Sequence, residues 1–160
     1  MRAESEDVGA LVALRDNIAR WLLQRGIQQW LPGEFSTGRM QTWVHRGDVF
    51  VRRRDGRIVA AVAVLDEDPE IWDDDDDGAA YIHLLMVDRE HAGVGLGDAA
   101  LSFAEEQVRD RGGCVARLDA VASNAVLCRW YQARGYRVVG SRAFEEPELF
   151  DSVLLEKTLS

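Results

Sequence analysis

No apolar run in this chain is long enough to cross a bilayer, and the charged N-terminus lacks the apolar stretch of a signal peptide. Cysteine is scarce: Cys114 and Cys128 are the only two, and they have no metal-ligand spacing. No metal is expected, and a reduced, cytoplasmic protein is the simplest reading. Basic charge is also short, with 19 Lys and Arg against 28 Asp and Glu and a formal net charge of -9. That deficit argues against nucleic acid and anionic membranes as partners, since both call for basic patches. It is compatible with a cationic small-molecule substrate, and it serves solubility as well. No internal repeat is visible. What remains is 160 residues, 47% of them hydrophobic, which suits a single domain over residues 1–160 with a full core.

Periodicity supplies the elements. Asp7 to Arg25 reads as an amphipathic helix, with Val8, Leu11, Val12, Ile18, Trp21 and Leu22 at helical spacing and Gly26 placed to end it. After a loop over 27–33, residues Phe35, Met40, Trp43 and Val44 suggest a shorter second helix ending before Gly47. Strands are expected from Val49 to Arg53 and from Ile58 to Leu65, joined at Asp55-Gly56, a strong hairpin signal. Asp66 to Gly78 is an acidic loop whose run Asp73 to Asp77 should be solvated and mobile, because five like charges in a row repel. A strand over Ala80–Val87 and a helix from Gly95 to about Val108 follow. Next come a strand over Val115–Ala120, a helix capped by Ser123-Asn124 and closed by Gly135, and strands over 136–140 and 152–158. This order argues for one mixed sheet with crossover helices.

The most informative segment is His91-Ala92-Gly93-Val94-Gly95-Leu96-Gly97, where the strand ending at Val87 gives way to a helix. Glycine lets a ligand approach the backbone and tolerates positive φ. The free amides of a helix's first turn, with the helix dipole, suit a phosphate-sized anion. The G-x-G-x-G spacing fails the dinucleotide-binding fingerprint, and Asp98-Ala99 after Gly97 fails the P-loop. A tight turn that only packs the helix on the sheet is the competing reading.

Downstream, Asn124 opens a helix, Tyr131 follows seven positions on, and Gly135-Tyr136 ends the segment. Combined with the Gly-rich turn, this pattern resembles the GNAT superfamily of acyl-CoA-dependent N-acyltransferases, over the region from the hairpin to the C-terminus. The resemblance implies an α/β fold of mixed α+β type: a central mixed, mostly antiparallel twisted sheet flanked by helices, with a V-shaped cleft between its two central parallel strands. It implies acetyl-CoA as the acyl donor, with its pyrophosphate on the amides of Ala92, Gly93, Val94, Gly95, Leu96, Gly97 and Asp98. It implies a pantetheine arm paired strand-like with Leu85, Met86 and Val87, one amide there polarising the thioester carbonyl, and Asn124 holding that arm. Tyr131 would hydrogen-bond the leaving sulfur and protonate the thiolate. Trp30, in the loop between the first two helices, would line the acceptor site. Three features depart from the family pattern: Ala92 where Arg or Gln is usual, Arg89 where Pro is usual, and only Met1 to Glu4 available for a strand before the first helix.

The amine acceptor must lose a proton before it can attack, so a general base is required. His83, Asp119, Glu34 and the acidic loop are candidates, and Asp119 could also orient the amine. Structural roles compete in each case: core packing for Tyr131, an N-cap for Asn124, a satisfied core histidine for His83, a turn cap for Asp119, a plain loop position for His91. The expectation is an N-acetyltransferase acting by direct attack on a small-molecule or peptide amine, and a homodimer is compatible with it. A non-catalytic acyl-CoA-binding module of the same fold, and an interaction domain whose glycines only pack, are the alternatives.

Overall fold

The computed structural model describes residues 1–74, 76, 78–145 and 150–160. Asp75 and Asp77 of the acidic run therefore lie outside the described residues. Asp55 and Gly56 both take positive φ, 51° and 78°. That pair of left-handed residues matches the twist of flanking strands, and it joins β1 (Val49–Arg54) to β2 (Arg57–Leu65). Strand β2 pairs antiparallel with β3 (Ala79–Val87), and β3 runs parallel to β4 (Val115–Val121). Strands β5 (Arg137–Arg142) and β6 (Ser152–Thr158) complete a six-stranded sheet of order β1-β2-β3-β4-β6-β5.

Both faces of the sheet are covered, which explains the continuous apolar run of β2. Ala61, Ala63 and Leu65 join one core with Leu11, Ile18, Met40 and Trp43 of α1 (Val8–Gln24) and α2 (Thr37–His45). Val62 and Val64 join the other, with Leu101, Ala104 and Val108 of α3 (Leu96–Asp110) and Tyr131 of α4 (Ala125–Gln132). Helix α1 stops as its residues dictate. Gly26, at φ 73°, lets its own amide reach Leu23 O and that of Ile27 reach Leu22 O, both at 3.0 Å. Helix α2 begins later than its apolar spacing suggests, because the Ser36 hydroxyl caps it by accepting from Arg39 N at 3.0 Å. Phe35 accordingly precedes the helix. The short stretch before α1 lies along β1, with a single bridge from Arg2 to Phe50.

Two further departures bear on function. Across β2 and β3, Ala63 faces His83 but Ala61 faces Met86. Strand β3 thus carries one extra residue, a bulge at Leu84, whose φ is 51°. The bulge leaves His83 and Leu84 on the α1–α2 side and moves Leu85 and Val87 to the other. Asp73 and Asp74 of the acidic loop are exposed, as expected, but they are not free. Arg142 binds Asp73 at 2.8 and 2.9 Å, and Arg117 binds Asp74 at 3.2 and 3.3 Å with Asp76 3.6 Å away. Like charges repel only until counter-charges arrive, and here β4 and β5 deliver them.

Candidate active site

The ladder between β3 and β4 runs only through Ala79–Tyr81 and Val115–Arg117. Beyond it a cleft of about 1310 Å³ opens between the strands, with Leu85 and Val87 on one wall and Asp119 to Val121 on the other. The edge of β3 that faces the cleft is free to pair with an extended ligand.

At one end the loop after β3 delivers Gly93 and Gly95 with φ of 80° and 84°. Gly95 is the N-cap of α3, and Ala99 N to Gly95 O is the first bond of the helix. The amides of Leu96, Gly97 and Asp98 therefore have no intrahelical acceptor. No atom lies within 4 Å of where a Cβ would sit on Gly93 or Gly95, so the approach to this backbone is open. The negative charge of Asp98 is held by Arg134, which stacks on Trp130 at 3.7 Å. Arg89, noted in the sequence only as the residue that replaces a proline, borders the cleft. Its guanidinium and that of Arg25 each lie 3.8 Å from the Trp21 ring centroid. Positive charge thus stands near the position where Ala92 contributes none.

Deeper in the cleft, His83 Nε2 meets Asp68 Oδ2 at 2.7 Å. One ligand-type atom each from Asp68, His83 and Asp119 lies within 4.8 Å of the others, a grouping unique among the described residues. Burial disfavours charge on His83, but the hydrogen bond and charge of Asp68, with the nearby Asp119, outweigh it and raise the imidazole above its ordinary value. Burial also raises Asp119, and Asp68 adds to this against the opposing pull of His83. The Ser152 hydroxyl donates to Asp119 at 3.2 Å. Trp43 packs on His83 with ring centroids 5.7 Å apart.

Tyr131 is buried between Trp130 and Tyr136, with centroid distances of 5.1 and 5.7 Å, and it borders the cleft. It packs in the core and faces the site at once. Its hydroxyl makes no hydrogen bond among the described residues. Burial, then the charge of Asp119, push its phenol above the usual value. Asn124 caps α4 by accepting from Leu127 N at 3.2 Å, and its Nδ2 donates to Gln29 Oε1 at 2.7 Å across the cleft. Asn124 Nδ2 keeps a second N–H for a ligand in the cleft.

The other expected residues divide. Trp30, Leu85, Val87, Ala92, Gly93, Gly95, Leu96, Gly97 and Asp98 border the cleft. The Met86 side chain is buried in the α1–α2 core, leaving only its backbone for a ligand, and Val94 is exposed. Glu34 is tied down, accepting from Leu31 N at 2.6 Å and from Arg15 at 3.3 Å, which makes it a poor base. His91 closes a single 3-10 turn, Arg89–His91, its Nδ1 3.7 Å from Asp88. Asp68 and Gln29 were not singled out from the sequence. Asp68 was one carboxylate among many in an acidic loop, and no local pattern marks it as the partner of a histidine on β3.

A family model described as "Acetyltransferase (GNAT) family" matches residues 15–136. The chain is 33% identical over 146 residues to YesJ, an uncharacterized N-acetyltransferase of Bacillus subtilis (strain 168), covering 86% of this chain and 81% of that protein. An acetyltransferase of the GNAT family from Listeria monocytogenes 4b F2365 superposes with a TM-score of 0.79 at 25% identity, over 99% of this chain and 93% of that one. YncA of Salmonella typhimurium, solved with its cofactor acetyl-CoA, shares the fold at a TM-score of 0.73 and 18% identity, over 100% and 92% of the two chains. No helix among the described residues is long and apolar enough to cross a membrane.

Proposed function

The chain belongs to the acetyltransferase (GNAT) family, and from that premise we propose that it passes an acetyl group from acetyl-CoA to a primary amine held beside His83, by direct attack of the amine nitrogen. The observation that carries this reading is the junction within one cleft of a first-turn amide cradle, a bulged strand edge and the Asp68–His83–Asp119 cluster. Acetyl-CoA supplies the acetyl group as a thioester. The free amides at the start of α3 fit its pyrophosphate, and the unpaired edge of β3 fits its extended arm. The bulge at Leu84 turns the strand backbone where a carbonyl oxygen would need a donor. As the C–N bond forms and the C–S bond breaks, His83 accepts the amine proton, Asp68 holds the imidazole, and Tyr131 donates to the departing sulfur. Thiol release from acetyl-CoA tests the reading, measured across polyamines, amino acids, aminoglycosides and peptide N-termini. Silence with every amine, in a protein that binds CoA, would sink it.

This scheme calls on no metal. Turnover should be unchanged by a chelator. Inhibition by EDTA, reversed by one divalent ion, would instead make the cluster a metal site.

The phosphate cradle has its own test. Gly95→Asp places a carboxylate at the N-cap of α3, where it opposes an incoming phosphate and competes for the same amides. CoA affinity should fall about 2–30-fold, the range of charge effects at helix termini. Unchanged affinity by calorimetry, in a variant that remains folded, would move the pyrophosphate elsewhere.

The histidine must be neutral to accept a proton, so kcat/KM for the acceptor should rise with pH through its titration. Because Asp68 and Asp119 raise that imidazole, the midpoint should lie above about 6.5, its unperturbed value. Asp68→Asn removes the strongest raising influence and leaves burial less opposed, so the midpoint should move down. A profile that keeps its midpoint in Asp68→Asn would detach Asp68 from the base.

A further inference from the structure

Arg15 projects from α1 at the acceptor end of the cleft and is only 4% exposed. Its guanidinium lies 4.6 Å from the Trp30 ring centroid and 5.2 Å from that of Phe35. Nη2 meets Glu34 Oε1 at 3.3 Å, while Nε and Nη1 are buried without a partner among the described residues. A guanidinium carries five N–H donors in a rigid fork that matches a carboxylate. A buried donor left unpaired is costly, and Glu34, shared with Leu31 N, offers Arg15 one long contact only. A strut for the loop over 27–33 would not need two idle donors. Arg39 and Arg142 border the same cleft, each with a carboxylate partner, Glu70 and Asp73, as Arg15 has Glu34, and Arg142 Nε is also buried without a partner among the described residues. Arg15 differs in depth, its side chain 5% exposed against 47% for Arg39 and 33% for Arg142, and it holds two unpartnered nitrogens among the described residues. The half-buried Trp30 ring lies against the guanidinium and borders the cleft, so a ligand reaches Arg15 only as that ring moves aside.

The acidic cluster at His83 and the guanidinium of Arg15 line one cleft with opposite charge, with aromatic rings between them: Trp43 lies against His83, Phe35 packs edge-on to Trp43 at 5.1 Å, and Arg15 lies over Phe35. A purely cationic acceptor would meet Arg15 as a like charge. We propose that the acceptor is an amine that also bears a carboxylate, of the amino-acid class, and that Arg15 binds the carboxylate while the amine lies at His83. This rests on the transferase reading above and adds the substrate class to it.

The test compares matched acceptors on the wild-type protein: free L-amino acids, their carboxamides and the corresponding decarboxylated amines, with thiol release from acetyl-CoA as readout. At least one amino acid should react, and its carboxamide and amine should show kcat/KM about 10–100-fold lower, the scale of a charge-assisted hydrogen-bonded pair. Arg15→Gln should erase that difference through the acceptor's KM and leave the KM of acetyl-CoA unchanged. In calorimetry on CoA-loaded protein, the N-acetyl amino acid should bind wild type more tightly than Arg15→Gln. If that variant does not fold, the substrate comparison on wild type decides alone. Equal rates for acid, amide and amine, or transfer to polyamines or aminoglycosides but to no amino acid, overturn the carboxylate reading and leave acyl transfer standing. No thiol release with any amine overturns both.

Discussion

Tyr131→Phe is expected to lower kcat about 10²–10³-fold, the loss seen when one donor to a developing negative charge is removed. The phenol is buried, faces the cleft, and has no hydrogen-bond partner among the described residues. Burial and Asp119 hold it protonated above its ordinary value. A phenol weaker as an acid than a thiol, whose unperturbed pKa is about 8.5, gives up a hydrogen bond more readily than its proton. Its expected contribution is therefore a hydrogen bond to the leaving sulfur, with the proton following from solvent. Phenylalanine keeps the ring that packs against Trp130 and Tyr136, so the melting temperature and CoA affinity should hardly move. Wild-type turnover in a folded Tyr131→Phe variant would reduce this residue to core packing.

His83→Gln should cost more, about 10²–10⁴-fold in kcat/KM for the acceptor, the range for loss of a positioned general base. Glutamine preserves much of the volume against Trp43 and can still bond Asp68, but it cannot accept a proton. The rise of rate with pH attributed to His83 should vanish with it. A stability signature accompanies the kinetic one. The folded pKa of His83 lies above its unfolded value, so its favourable contribution is complete below the unfolded pKa and fades as pH rises through the folded one. The melting-temperature gap between wild type and His83→Gln should be widest in mildly acidic buffer and narrow in alkali. A pH–rate profile in the variant that keeps the wild-type shape would pass the base role to another group of the cluster, such as Asp119.

Much of this molecule was legible in one dimension because the forces behind it act over short sequence separations. The apolar spacing in α1 and the positive-φ glycine after it define a helix and its end within a few residues. Asp55-Gly56 determines a hairpin, Asn124 caps α4 through an amide three residues on, and Gly93 and Gly95 place an open backbone turn at the head of α3. The pairing of that turn with Asn124 and Tyr131 was enough to mark the family. Other features depend on partners far along the chain, and local pattern could not report them. Period-two alternation along β3 would put His83 and Leu85 on one face. The bulge at Leu84 separates them, and only the register against β2 reveals it. The acidic run looked like a free, repelling tip until Arg117 and Arg142, both more than 40 residues away, supplied the counter-charge.

The sequence by itself determined most of the elements, the open glycine turn at the head of α3 and the family, because helix caps, turns and glycine backbones are local and their residue requirements are strict. Only the tertiary structure decided which carboxylate meets His83, which glutamate is already occupied, and that Arg15 stands buried with idle donors at the cleft. Those are properties of charge and desolvation, which depend on distance in space. Asp68 and His83 are 15 residues apart, Arg15 and Glu34 are 19, and nothing in the spacing of either pair distinguishes it from the many charged pairs that never meet.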